Sequence, residues 1–260
     1  MTKRSYRWLL VLLAVVGLTA DQLTKYQVFR WLYNGGEPAR DGAFAAWDRS
    51  VPAWVPGTAS GVQGGRYDVL SGWFGLIAQY NPPLRTTPDQ DWRKGLQTVS
   101  ADKMPHVNRG ALFGMGANQG GANDPSLSAE QRLEELKKAE QQAENANTLF
   151  AVISLLAAGG ISVWAVLRGK LADAWICAAL GLILGGTVGN LYDRVVFYGV
   201  RDFLFFYKID WPVFNVADCC LVCGAIMLVL HAVFVKPVKA PDAATPAVAT
   251  VPVPSPTTAG

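Results

Sequence analysis

Histidine is almost missing from this chain: only His106 and His231 occur in 260 residues, far apart, and no HExxH is present. That speaks against metal-dependent hydrolysis on a zinc-binding helix. No Ser/His/Asp set can be assembled, and no cysteine has a neighbouring histidine, so the familiar nucleophilic hydrolases drop out. Charge of one sign is also scarce. The net charge is +3, and the lysines and arginines gather into no stripe, which excludes a nucleic-acid surface. The four cysteines, Cys177, Cys219, Cys220 and Cys223, all fall in apolar segments. Cys220 and Cys223 form a CxxC without the βαβ context of a redox site. They read as small buried apolar residues. No internal repeat is present. What the chain does have is apolar surface: 51% of its residues are hydrophobic and the mean hydropathy is +0.19. That is the composition of a membrane protein.

Lys3, Arg4 and Arg7 precede an apolar run over residues 8–20. A cleaved secretory signal would want a small residue where Leu18 stands, and the helical pattern continues through Leu23, Tyr26, Val28, Phe29 and Trp31. An uncleaved first membrane helix is therefore expected. At its polar end Asp21 and Lys25 are four apart and share one helical face, either as a solvated ion pair or as part of a site. Residues 34–105 are rich in Gly, Pro and Trp and read as loop-rich, with short strands near 67–70 and 74–78. Residues 106–114 read as a turn around Asn108 and Gly110. A polar helix is expected over 128–147, opened by a Ser128/Gln131 capping box and carrying a Glu134–Lys138 pair. Further membrane helices are expected at 149–167, 171–191 and 212–234, each long enough to span about 30 Å of hydrocarbon. Gly181, Gly185 and Gly189 form a small-residue ridge for close helix packing. Positive charge at 1–7, 168–170 and 236–239 marks those three places as cytoplasmic. Four crossings then put 34–147 and the 193–211 loop together outside.

The chemistry lies between residues 185 and 218. Asp193, Asp202, Asp210 and Asp218 sit there between two apolar segments, and carboxylates at a membrane edge default to a functional reading. Asp218, about six residues into the last helix, lies just below the outer surface. A second carboxylate meeting it would share a proton, since two like charges about 3 Å apart cannot both ionise. One would act as base on a water and the other as acid toward a leaving amide. Spacing leaves Asp193, Asp202 and Asp210 all open as that partner. It also leaves open that Asp193–Arg194 and Arg201–Asp202 are plain interfacial ion pairs.

Five pieces then occur in order: Asp21-Gln22-x-Thr24-Lys25, Asn108-x-Gly110-Ala111-x-Phe113-Gly114, Gly185-Gly186-x-x-Gly189-Asn190-x-x-Asp193-Arg194, Asp202-Phe203, and Trp211-Pro212-x-Phe214-Asn215-x-Ala217-Asp218. Together they resemble the lipoprotein signal peptidases (signal peptidase II). The resemblance implies an aspartic endopeptidase of the bacterial inner membrane, its active site facing outward. Its substrate would be a diacylglyceryl-modified prolipoprotein, cut just before the lipidated cysteine. By the same resemblance Asp202 and Asp218 would be the catalytic pair. Asp21, Lys25, Asn108, Gly110, Asn190, Arg194 and Asn215 would shape the site and hold substrate, with Asp193 supporting. It implies no cofactor and no metal, contact with membrane lipid, a monomer, and sensitivity to globomycin-type inhibitors. Residue 112 is Leu where Ala is usual, and Arg201 stands where an apolar residue is usual; an adjacent guanidinium is expected to lower the pKa of Asp202. The insertions at 34–105 and 128–147 are departures from the family pattern. Two other readings remain: a silent membrane scaffold kept for its enlarged outer region, and a small transporter using intramembrane acids.

The expected fold is an all-α membrane protein of four transmembrane helices with both termini cytoplasmic, plus a loop-rich outer region with a small β element and a polar helix. Its parts are the first transmembrane helix (1–33), the outer insertion region (34–147), helices two to four with the catalytic loop (148–236), and a disordered cytoplasmic tail (237–260).

Overall fold

The computed structural model describes residues 5–33, 63–80, 88, 90–100, 105, 107–110, 127–168, 171–209 and 211–234. Asp210, His106, residues 111–114 and the tail lie outside the described residues. The elements are α1 (Arg7–Tyr33), β1 (Gln63–Leu70), β2 (Phe74–Tyr80), α2 (Trp92–Ser100), α3 (Ala129–Leu167), α4 (Ala174–Val196), β3 (Leu204–Phe205) and α5 (Val216–Phe234). The fold is mainly helical, and α1, α3, α4 and α5 are long and apolar enough to cross a membrane.

Helix α4 is the hub, packed by α1, α3 and α5. The glycine ridge explains how closely α1 lies on it. A Cβ at Gly181 would meet the Leu10 carbonyl oxygen at 2.6 Å, and one at Gly185 would meet that of Ala14 at 2.6 Å. Only glycine permits that backbone approach. The expected strands form an antiparallel hairpin, β1–β2, and β3 from the α4–α5 loop adds to it in the order β1-β2-β3. Phe29 and Leu32 of α1 bury against Tyr67, Ala78 and Phe203. Burying a phenylalanine contributes roughly 1.5–3 kcal/mol, so this cluster ties the hairpin to the α4–α5 loop at one end of the bundle.

Several boundaries differ from expectation. The polar helix and the second membrane helix are one continuous 39-residue helix, α3. At 1.5 Å per residue it is about 58 Å long, roughly twice the hydrocarbon thickness. Its Ser128/Gln131 capping box and Glu134–Lys138 pair form as expected, and no proline interrupts the change from polar to apolar sequence. Asn147, at the change-over, is buried and donates from Nδ2 to the Arg194 carbonyl at 3.2 Å, pinning the polar part to α4. Helix α4 begins after Asp173, whose side chain caps it by accepting from the Trp175 and Ile176 amides. It runs on to Val196, and α5 begins at Val216 and not at Pro212. The 34–105 stretch holds a helix, α2, that its composition did not announce. Of the cysteines only Cys177 is buried; Cys219 and Cys223 lie on the outward face of α5, where a membrane span meets lipid.

Candidate active site

Asn215 and Asp218 open α5 with a reciprocal cap. The Asp218 amide donates to Asn215 Oδ1 at 3.0 Å, and the Asn215 amide donates to Asp218 Oδ2 at 3.2 Å. Asp218 therefore sits in the first helical turn, nearer the helix start than the sequence suggested, where the helix dipole favours negative charge. Asp202 arrives on the short segment before β3. That segment is fixed by a two-way backbone bridge between Asn108 and Val200, both bonds 2.8 Å, and by the Phe203 amide donating to the Phe214 carbonyl at 3.0 Å.

Carboxamides wire the two carboxylates together. Asn215 Nδ2 donates to Asp202 Oδ1 at 2.7 Å, and Asn108 Nδ2 donates to Asp202 Oδ2 at 3.1 Å. Asn190 Nδ2 donates to Asp218 Oδ1 at 2.9 Å, while its Oδ1 accepts from Asn215 Nδ2 at 3.2 Å. The orientation of Asn190 follows from Lys25, whose ammonium can only donate. Lys25 Nζ reaches Asn190 Oδ1 at 3.1 Å, which turns the amide group toward Asp218. Gly110 donates its amide to Asn108 Oδ1 at 3.0 Å and so sets the opposite end of that side chain toward Asp202. Arg194 donates to the Asn190 carbonyl at 3.2 Å and lies against the Phe150 ring; its buried Nε has no hydrogen-bond partner among the described residues. Its charge acts on both Asp202 and Asp218.

Burial, and then the charge of Asp218, push the Asp202 carboxyl up to about 7 against the weaker opposing pull of its Asn108 and Asn215 hydrogen bonds. The expectation that Arg201 would lower it is overturned. Arg201 is fully buried and turned away from Asp202; it grips Asp193 through its amide at 2.9 Å, Nε at 3.1 Å and Nη2 at 2.9 Å. Asp193 in turn lies 3.4 Å from Lys25, so it is enclosed between two cations with no solvent exposure.

Asp21 and Lys25 are likewise fully buried, 2.8 Å apart, and not a solvated pair. Asp21 accepts from the Ala217 amide at 2.9 Å, which ties α1 to the first turn of α5. Asp21, Lys25, Asn108, Gly110, Asn190, Asp193, Arg194, Asp202, Asn215 and Asp218 thus converge on one network, with Asp21 and Lys25 behind it and Asp202 and Asp218 in front. Sequence reasoning missed three members. Gln22 donates to Asp21 at 3.0 Å and to Asp193 at 3.2 Å, and accepts from Arg201 at 3.0 Å. Ser100 accepts from Arg201 Nη1 at 3.2 Å, and Gln97 donates to the Val196 carbonyl at 2.6 Å. Gln22 lay inside the Asp-Gln-x-Thr-Lys motif and could have been found there; nothing in the sequence marked Ser100 or Gln97. Among the described residues no group of three His, Cys, Asp or Glu is placed to hold a metal ion. Two partly exposed carboxylates with a raised pKa on one of them can hold a proton between them and activate water.

Comparison with known proteins identifies the family. The family described as Signal peptidase (SPase) II matches residues 102–234. A lipoprotein signal peptidase of Rhodopirellula baltica is 36% identical over 139 residues, 48% of this chain and 50% of its own. One of Pseudomonas syringae pv. tomato is 47% identical over 85 residues, 32% of this chain and 49% of its own. The chain spans about half the length of these curated relatives. A solved bacterial membrane enzyme, 18% identical, aligns over 90% of this chain and 92% of its own with a TM-score of 0.49. With the family matched over more than half of its residues, the chain belongs to the signal peptidase II family.

Proposed function

We propose that this protein is a membrane aspartic endopeptidase that removes the signal peptide from diacylglyceryl-modified prolipoproteins, cutting just before the lipidated cysteine. The observation that carries this reading is the amide-linked pair Asp202 and Asp218, in which burial and a neighbouring carboxylate keep a proton on Asp202 up to about pH 7. Asp202 carries the shared proton, and Asp218, at the start of α5, takes a proton from the attacking water. Water adds to the scissile carbonyl, and the proton on Asp202 goes to the departing amide nitrogen. Asn190, Asn215 and Asn108 hold the two carboxylates in register without neutralising them. Lys25 and Asp21 fix Asn190 and the start of α5 from behind, and the charge of the buried Arg194 acts on both carboxylates.

A scissile bond beside a lipid anchor must lie at the bilayer edge, and the position of Asp218 in the first turn of an apolar helix supports that placement. The basic flanks at 1–7, 168–170 and 236–239 support cytoplasmic termini, an inner-membrane location and an outward-facing site. On this reading the enzyme works as a monomer in contact with lipid and is inhibited by globomycin-type compounds. The deciding experiment is a gel-shift assay with purified protein and a diacylglyceryl-modified prolipoprotein, comparing wild type with Asp218→Asn. Cleavage by wild type alone is expected. No cleavage by correctly inserted wild-type protein would overturn the proposal.

A further inference from the structure

The α4–α5 loop buries an arginine directly before Asp202, and the reading of Asp202 as catalytic makes its role specific. We propose that Arg201 is a positioning residue: it locks α1, the end of α4 and the insertion helix α2 into one unit that fixes the Asp202 backbone. Arg201 has no solvent exposure. Its two carboxylate-facing nitrogens and its own amide take both oxygens of Asp193. The remaining donors reach Ser100 Oγ on α2 at 3.2 Å and Gln22 Oε1 on α1 at 3.0 Å. The guanidinium also lies 3.8 Å from the Phe197 ring centre and 4.3 Å from that of Tyr26, two rings that meet edge-on at 64° beside it. A planar five-donor fork is the side chain that can do all of this at once. The apolar residue that the family resemblance leads one to expect here would keep only the backbone amide bond to Asp193.

Two further observations point the same way. Asp21 and Asp193 are both fully buried, and Lys25 alone would leave one of those carboxylates uncompensated; Arg201 balances the cluster. Helix α2 is inverted, its buried residues being the polar Gln97 and Ser100 while Trp92 and Val99 face outward. Among the described residues, contacts that hold it to the bundle include Arg201–Ser100, Gln97 to the Val196 carbonyl, and Arg93 over the Tyr198 ring. The insertion is thus wired to the residue next to Asp202.

The test uses full-length protein in proteoliposomes with a diacylglyceryl-modified prolipoprotein, with Asp218→Asn as the inactive control. Arg201→Leu is expected to lower kcat about 10- to 100-fold, as displacement of a reacting group by about 1 Å does, with KM within about threefold of wild type. The alkaline limb of its pH profile is expected to move up, because a negative charge on Asp193 is left poorly balanced. The charged groups behind that shift are Asp21 and Lys25 on α1, Asp193 and Arg194 on α4, and Asp218 on α5. Adding Asp193→Asn to Arg201→Leu is expected to return the limb toward its original position. Ser100→Ala is expected to lower kcat by about two- to threefold, the low end of the net worth of an ordinary hydrogen bond, and to speed amide exchange across α2. A wild-type kcat and pH profile in Arg201→Leu would overturn the proposal. If Arg201→Leu does not insert, Arg201→Lys and Ser100→Ala carry the test, and unchanged kcat with unchanged α2 exchange in both would equally overturn it. If wild type itself cleaves nothing, the peptidase reading fails separately, while α2 exchange in Arg201→Lys still reports whether the anchor exists.

Discussion

Two groups of aspartates stand one layer of side chains apart and are held in opposite ways. Asp21 and Asp193 have no solvent exposure, and every carboxylate oxygen of theirs meets a cation or a backbone amide. Asp202 and Asp218 keep partial exposure and are held by neutral carboxamides and one backbone amide. Among the described residues no lysine or arginine pairs with either. A buried carboxylate whose oxygens are all taken up by cations and backbone amides has no oxygen left for a substrate and serves as a joint. One held by neutral donors, next to another carboxylate, can gain and lose a proton. Lys25 shows how the joint serves the reactive pair: it salt-bridges Asp21 while orienting Asn190 toward Asp218.

The sharpest way to break this contrast is to remove the same charge from each group. Asp202→Asn and Asp218→Asn are expected to abolish cleavage, by at least about 10³-fold on the general acid–base scale, while inserted protein is recovered in normal amounts. Asp193→Asn is expected to do the reverse. It leaves Arg201 and Lys25 short of a partner in a buried place, a loss of about 3–5 kcal/mol, so the yield and melting temperature of folded protein fall. Expression level, thermal unfolding in detergent and turnover separate the two outcomes; full stability in Asp193→Asn would erase the distinction.

Proton linkage sharpens it further. Folding raises the Asp202 pKa from 3.8 to about 7, so between those values the folded state binds more proton than the unfolded one. Stability is therefore highest at the acid side of that window and falls as pH rises through it, levelling off above about 7. Cleavage, which needs that proton, declines over the same upper range. In Asp202→Asn the stability slope between about pH 4 and 7 should flatten. An unchanged slope would move the proton off Asp202.

A smaller effect is expected at Asn190, which belongs to both groups. Asn190→Ala removes the amide to Asp218 and the acceptor for Lys25 without removing a charge. Turnover should drop about 10- to 100-fold by misplacing the pair, with the dyad's pH dependence still visible in the residual rate. Complete inactivity would place Asn190 among the reacting groups.

How much of this could be read beforehand depended on which forces were local. Asp21 and Lys25 at i,i+4, the Ser128 cap and the glycine ridge are short-range statements, and all three appear as expected. Whether Asp21–Lys25 is wet or dry depends on what covers it. The answer lies in Gly189, where a Cβ would come within 2.6 Å of Asp21 Oδ2. Gln22 points off the Asp21–Lys25 face and had no visible purpose until α4 was in place. Helix α2 was illegible because its pattern is reversed, with polar residues inward. The joint at Asn147 was misread because a change of composition looks like an element boundary, yet a helix has no reason to stop where only its surroundings change. The α5 start was misplaced because Pro212 is a fair first helical residue, whereas the Asn215–Asp218 cap decides it.

The smallest expected effect lies where the polar part of α3 meets the site. Arg109, next to Asn108, stands 3.9 Å from Glu140, and both are about three-quarters buried. The pair is long and partly wet, so its worth is under about 1 kcal/mol. Glu140→Gln is expected to change melting temperature little and turnover by less than about fivefold, an upper bound from that energy. The loss should shrink as ionic strength rises, because screening weakens the wild-type contact too. Asn147→Ala should cost more, since Asn147 is buried and donates to the carbonyl of Arg194 beside the dyad. If Glu140→Gln instead matched Asn190→Ala in turnover, the polar half of α3 would belong to the reactive group and the boundary between joint and active pair would have to be drawn further out.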